Sequence, residues 1–73
     1  MSMLAVVLQN LKVSQGELAR RSGLTRQTIN DAYHGHPGVT LSSWVKIARA
    51  LQVPLNRVSP LAAAELDGVV INS

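Results

Sequence analysis

Leu4, Val7, Leu8 and Leu11 recur at the three- and four-residue spacing of one helix face, so the chain opens on a predicted helix ending near Asn10 or Leu11. Met3, Ala5 and Val6 leave little polar face beyond Gln9 and Asn10. A helix so apolar is buried on more than one side or offers a surface to a partner. Ser14 followed by Glu17 predicts a second helix start as a capping box. The hydroxyl would accept from the backbone N–H three residues on, while the carboxylate would reach back to the cap's own N–H. This helix turns Leu18 and Ala19 inward and Arg20 and Arg21 to solvent, and stops at Gly23, the residue type best suited to the left-handed turn after a helix.

Thr25 can cap a third helix with Ile29, Ala32 and Tyr33 as its apolar stripe and Gly35 as its stop. The short link between second and third helices is too tight for antiparallel packing and suits a steep crossing. After the loop "HGHPGV", Thr40 predicts the cap of a fourth helix, with Leu41, Trp44, Val45, Ala48 and Leu51 at the spacing of a buried face. Trp44 then reads as core rather than as an anchor for a partner. Pro54 suits the first turn of a short fifth helix carrying Leu55 and Val58, and Pro60 closes it. The expectation is an all-α bundle of five helices over residues 1–59, with a C-terminal extension over 60–73 that ends in a short strand-like "VVI".

A chain of 73 residues makes one domain with a small core, for which oligomerisation would be a help. Its 47% apolar content argues against disorder, and the absence of Cys removes disulfide scaffolds and thiolate metal sites. No apolar run approaches a membrane span and no basic flank marks a signal peptide, so no membrane association and a cytoplasmic location are expected. The net charge of +3 is a weak hint until its distribution is read. Residues 1–58 hold all seven Lys and Arg against Glu17 and Asp31, net +5, while residues 59–73 hold only Glu65 and Asp67, net −2. Any polyanion contact therefore belongs to the first part.

The polar cluster at the start of the third helix narrows the chemistry. A helix N-terminus laid in the major groove of a duplex presents its first turn to base edges, while the preceding helix points free N–H groups at a phosphate. Arg bonds G bidentately, Gln and Asn bond A in the same way, and a Thr methyl meets the methyl of T. Arg26, Gln27, Thr28 and Asn30 are those residue types. Taken singly, each also fits a solvated helix start, where Thr caps and Arg and Gln are good helix formers. His34 and His36 lack the further ligands a metal site needs, and no motif assembles a nucleophile, base and acid, so neither cofactor nor metal nor catalysis is expected.

The run "SQGELARRSGLTRQTINDAYHG" resembles the phage-repressor type of helix-turn-helix, the Cro-like or XRE family, and "TLSSWVKIARALQVPLNRV" is similar to that family's fourth and fifth helices. The resemblance covers residues 4–59 and implies a lambda-repressor-like domain. It further implies that Gln15 touches a phosphate and braces the reading residues, that Arg26, Gln27 and Thr28 read bases from the first turn, and that Asn30 or Asp31 adds to them. It places Thr25, His34, His36 and Thr40 at the DNA backbone.

Two departures stand out. Many members pair an Arg of the first helix with a Glu before the closing Gly, where this chain has Leu8 and Tyr33, so an apolar contact is expected in place of an ion pair, a swap often neutral or stabilising. Lys12 is the only basic residue before Arg20, which lowers the expected grip on phosphate and raises the reliance on a dimer. The function implied is sequence-specific binding of double-stranded DNA by a small repressor or Cro-like regulator, as a homodimer on an inverted repeat, with Leu55, Val58 and Leu61 as dimer contacts. An antitoxin that also binds a toxin protein, and a protein-interaction module without DNA binding, are the alternatives.

Overall fold

Each of the four α-helices among the described residues begins where a short hydroxyl side chain takes an otherwise orphaned backbone N–H. In the computed structural model, which describes residues 2–59, Ser2 caps α1 (Met3–Leu11), Ser14 caps α2 (Gln15–Ser22), Thr25 caps α3 (Arg26–Tyr33) and Thr40 caps α4 (Leu41–Leu51). The hydroxyls accept from Ala5, Glu17, Thr28 and Ser43 at 3.0 to 3.2 Å. Loss of such a cap costs about 1 kcal/mol. The capping box of α2 is half made: the Glu17 carboxylate accepts instead from Arg20 and Arg21, which compete for it from one turn onward.

The helix ends divide into two kinds. Gly23 and Gly35 take positive φ without strain, as their sequence positions promise. Lys12 and Gln52 also sit in the left-handed region, both at φ 57°, where a side chain is disfavoured. They end α1 and α4 by returning N–H bonds to the last turn.

The core gathers Leu4 and Leu8 of α1, Leu18 and Ala19 of α2, Ile29 and Ala32 of α3, Trp44, Ile47, Ala48 and Leu51 of α4, and Val39 and Val58 from outside the helices. Burial of each large aliphatic side chain is worth roughly 1.5–3 kcal/mol. α2 packs against both α3 and α4, and α1 lies against α3. A bond from the Ser2 hydroxyl to the carbonyl of Tyr33 ties the start of α1 to the end of α3.

The structure departs from the sequence pattern in three places. The inward stripe of α4 is Trp44, Ile47, Ala48 and Leu51, with Val45 half-buried and Leu41 49% exposed; Leu41 is the first helical residue, and Val39 is buried just ahead of it. The expected fifth helix is a single 3-10 turn, Leu55–Arg57. Pro54 and Pro60 leave too few residues between them for an α-helix to propagate, and a residue before proline is pushed out of the α region. Val58, expected at a dimer contact, is wholly buried in its own chain's core, and the adjoining Leu55 is half-buried against the same cluster. Leu61 lies outside the described residues, as do the C-terminal extension and its "VVI".

Candidate nucleic-acid interface

Gly23, Leu24 and Thr25 are the whole connection between α2 and α3. Gly23 bonds back to the carbonyl of Ala19 at 3.0 Å to close α2, and the Thr25 hydroxyl opens α3 two residues later. Ile29 and Ala32 anchor the inner face of α3 with no exposed surface, which sets the opposite face outward. Arg26, Gln27 and Asn30 are exposed on it, and Thr28 is half-buried.

These side chains are organised by mutual bonds. The Thr25 and Thr28 hydroxyls lie 3.0 Å apart, so Thr28 is drawn toward the cap. The Gln27 amide donates from Nε2 to Oδ1 of Asp31 at 3.0 Å, one helical turn on. Asn30 donates from Nδ2 to Oε1 of Gln15 at 3.4 Å, a long bond joining the outer face of α3 to the first residue of α2. The Arg26 guanidinium lies over Gly16, where an added Cβ would stand 3.7 Å from Nη2. An open cleft between the two helix starts is walled by Ser14, Gly16, Arg20, Gly23, Thr25 and Arg26.

The remaining expected residues, His34, His36 and Thr40, follow α3 in the chain. His34 ends α3, about 12 Å along an eight-residue helix from Arg26. Its ring meets that of Tyr33 edge-on, centroids 5.3 Å apart. His36 is exposed in the following loop, its N–H bonded to the carbonyl of Asp31. Thr40 caps α4 and donates its hydroxyl proton to Ser43 Oγ at 3.1 Å. Among the described residues no group of three or more His, Asp and Glu is placed to hold a metal ion.

Glu17 supplies the local acidity. The hydrogen bond from Arg21 holds its carboxyl below the usual value of 4.5, the charges of Arg20 and Arg21 add to this, and partial desolvation opposes it. Those two Arg are therefore partly neutralised, whereas Arg26 has no acidic partner among the described residues.

Two helices joined through a three-residue glycine turn, the second held by its inner face and opening with exposed Arg and Gln, define a helix-turn-helix protein. The helix-turn-helix family model matches residues 4–58, about three quarters of the chain, and the chain belongs to that family, in its Cro-like, XRE type. Its members are DNA-binding regulators of transcription. No curated protein and no solved structure matches the chain. Among the described residues no helix is long and apolar enough to cross a membrane.

Sequence reasoning missed two features that shape this surface and left a third without its partner. The Ser2 cap was hidden beside the chain start. The resemblance gave Gln15 a bracing role without its partner, because the bond with Asn30 spans 15 residues and depends on how the helices cross. The Gln27–Asp31 bond was within reach, because Gln and Asp four residues apart on a helix are natural partners.

Proposed function

We propose that this protein is a sequence-specific regulator that binds double-stranded DNA, a small repressor or Cro-like protein, with α3 in the major groove. Arg26 and Gln27 read base edges, Thr28 adds a methyl contact, and Gln15 with the capped start of α2 receives a phosphate. The observation that carries this reading is the bond between Asn30 and Gln15. It fastens the reading face of α3 to the start of α2, and it leaves the Gln15 NH2 group as a donor toward an anion.

His34, His36 and Thr40 extend the backbone contact beyond the far end of α3. A module of this size covers only about 600–1,000 Å² of protein surface on DNA, which supports two copies on an inverted repeat. With Val58 committed to the core, the dimer contact draws on Leu55 and on Leu61 and its successors. Selection of bound duplexes from a random pool tests the proposal: an enriched motif with two-fold symmetry is expected, and a pool that stays random overturns it.

A second reading, an antitoxin that also holds a toxin protein, is favoured by one observation. Val6 and Leu11 on α1 are 43% and 47% exposed, on a helix with no charged residue. Co-purification of a partner encoded beside this chain's gene distinguishes that reading from a repressor acting alone.

A further inference from the structure

Asp31 lies one turn beyond Gln27 and accepts a hydrogen bond from it. An ionised carboxylate can only accept, so it can meet only the NH2 end of an amide. That fixes which way round the Gln27 amide stands, a choice a free glutamine leaves open. We infer that Asp31 is a positioning residue that makes Gln27 selective for adenine. The inference rests on the DNA-reading proposal above and deepens it.

The argument follows from counting donors and acceptors. A primary amide has two N–H donors and one carbonyl oxygen. Adenine shows one acceptor, N7, and one donor, N6, along its major-groove edge, whereas guanine shows two acceptors, N7 and O6. A free glutamine answers adenine with its oxygen and one N–H, and by turning over it can also direct N–H groups at guanine. Once Asp31 takes one N–H, a single N–H and the oxygen remain, which match adenine. Guanine then leaves at least one acceptor facing the amide oxygen without a proton between them, and an unpaired polar group in a closed interface is costly.

The position of Asp31 suits this part. It is half-buried on α3, while Gln27 is exposed, so the brace is the less mobile of the two. The two ion pairs among the described residues both belong to Glu17, so no Lys or Arg there competes with Gln27 for the Asp31 carboxylate. The carboxylate also repels phosphate, so its effect on DNA is not that of a general anchor.

The test is random-pool duplex selection with the full chain and with Gln27→Ala, Asp31→Ala, Asp31→Glu and Asp31→Asn, each first checked for parental helicity. Gln27→Ala locates the base pair that Gln27 reads. Asp31→Ala should cut the adenine-over-guanine preference at that same base pair about five- to tenfold, the lower end of what one bidentate contact discriminates, while binding to random DNA is equal or tighter. Asp31→Glu, still acceptor-only, should restore much of the preference; Asp31→Asn, which can meet either end of the amide, should fall between. An unchanged profile for Asp31→Ala overturns the inference and leaves the DNA-reading proposal standing. So does a change confined to another base pair, which would make Asp31 a direct reader of cytosine N4. Failure of the parent chain to enrich any duplex overturns both.

Discussion

At the residue scale, the difference between reading and gripping lies in what a side chain has left to bond with. Arg26 has no acidic partner among the described residues and sits in the first turn of α3, so Arg26→Ala should cost about 1–3 kcal/mol on the best site and leave random DNA nearly unaffected. Gln27→Ala should do the same at a different base pair. Competition binding against a panel of single-base variants checks both, and equal losses on cognate and random duplex would remove them from the reading set. Gln15 stands differently. Its oxygen is occupied by Asn30 and its NH2 group is the donor left at the start of α2. Gln15→Ala should therefore weaken all sequences alike, and a loss concentrated on one base pair would contradict that assignment.

At the element scale, most of the fold was legible because α2, α3 and α4 each begin with a local signal. Ser14, Thr25 and Thr40 announce their helices by chemistry that acts within three residues, and Gly23 announces a stop by its freedom at positive φ. The end of α1 at Leu11 was legible from its apolar spacing, whereas the left-handed turns that close α1 and α4 were not, since Lys12 and Gln52 take that conformation without the residue type that signals it. Gln52→Gly should relieve that strain and stabilise the chain by up to about 1 kcal/mol, as measured by urea denaturation. Of the proposed site, Arg26, Gln27, Thr28 and Asn30 were legible as residue types and the bracing role of Gln15 through the resemblance, but not its bond with Asn30, because a contact between two helices is fixed only by their packing. The packing of α1 on α3 allows a further check. Leu8 is 2% exposed, and Tyr33 packs on its cluster and lines the same groove. Leu8→Arg or Tyr33→Glu alone should destabilise by about 3 kcal/mol or more, whereas the two together should recover part of that as an ion pair. A double-mutant cycle with no coupling would mean that the two side chains do not interact.

At the scale of the whole molecule, charge and association pull apart in a way that one deletion can expose. Residues 1–58 carry net +5 and residues 59–73 carry net −2, so the acidic segment partly cancels the field of the basic domain. Glu17 already occupies Arg20 and Arg21, which leaves Lys12, Arg26, Lys46, Arg49 and Arg57 as the cations without an acidic partner among the described residues. With Arg26 set aside as a base reader, four phosphate contacts would give a slope of log K against log salt of about −3.6 per copy, which bounds the electrostatic part of binding at roughly that value. The described apolar cluster runs from Leu4 to Val58, so residues 4–58 already supply a core that draws on every helix of the described residues. Deletion of residues 60–73 should therefore leave a folded helical domain, and removing Glu65 and Asp67 should strengthen its binding to random duplex at low salt. If the homodimer is held through Leu61 and the residues after it, the same deletion should yield a monomer by sedimentation and abolish the preference for an inverted repeat over its half-site. The two effects have opposite signs and separate readouts. Loss of helicity would place residues 60–73 in the core, and a dimer that survives the deletion would move the interface to the exposed Val6 and Leu11 of α1.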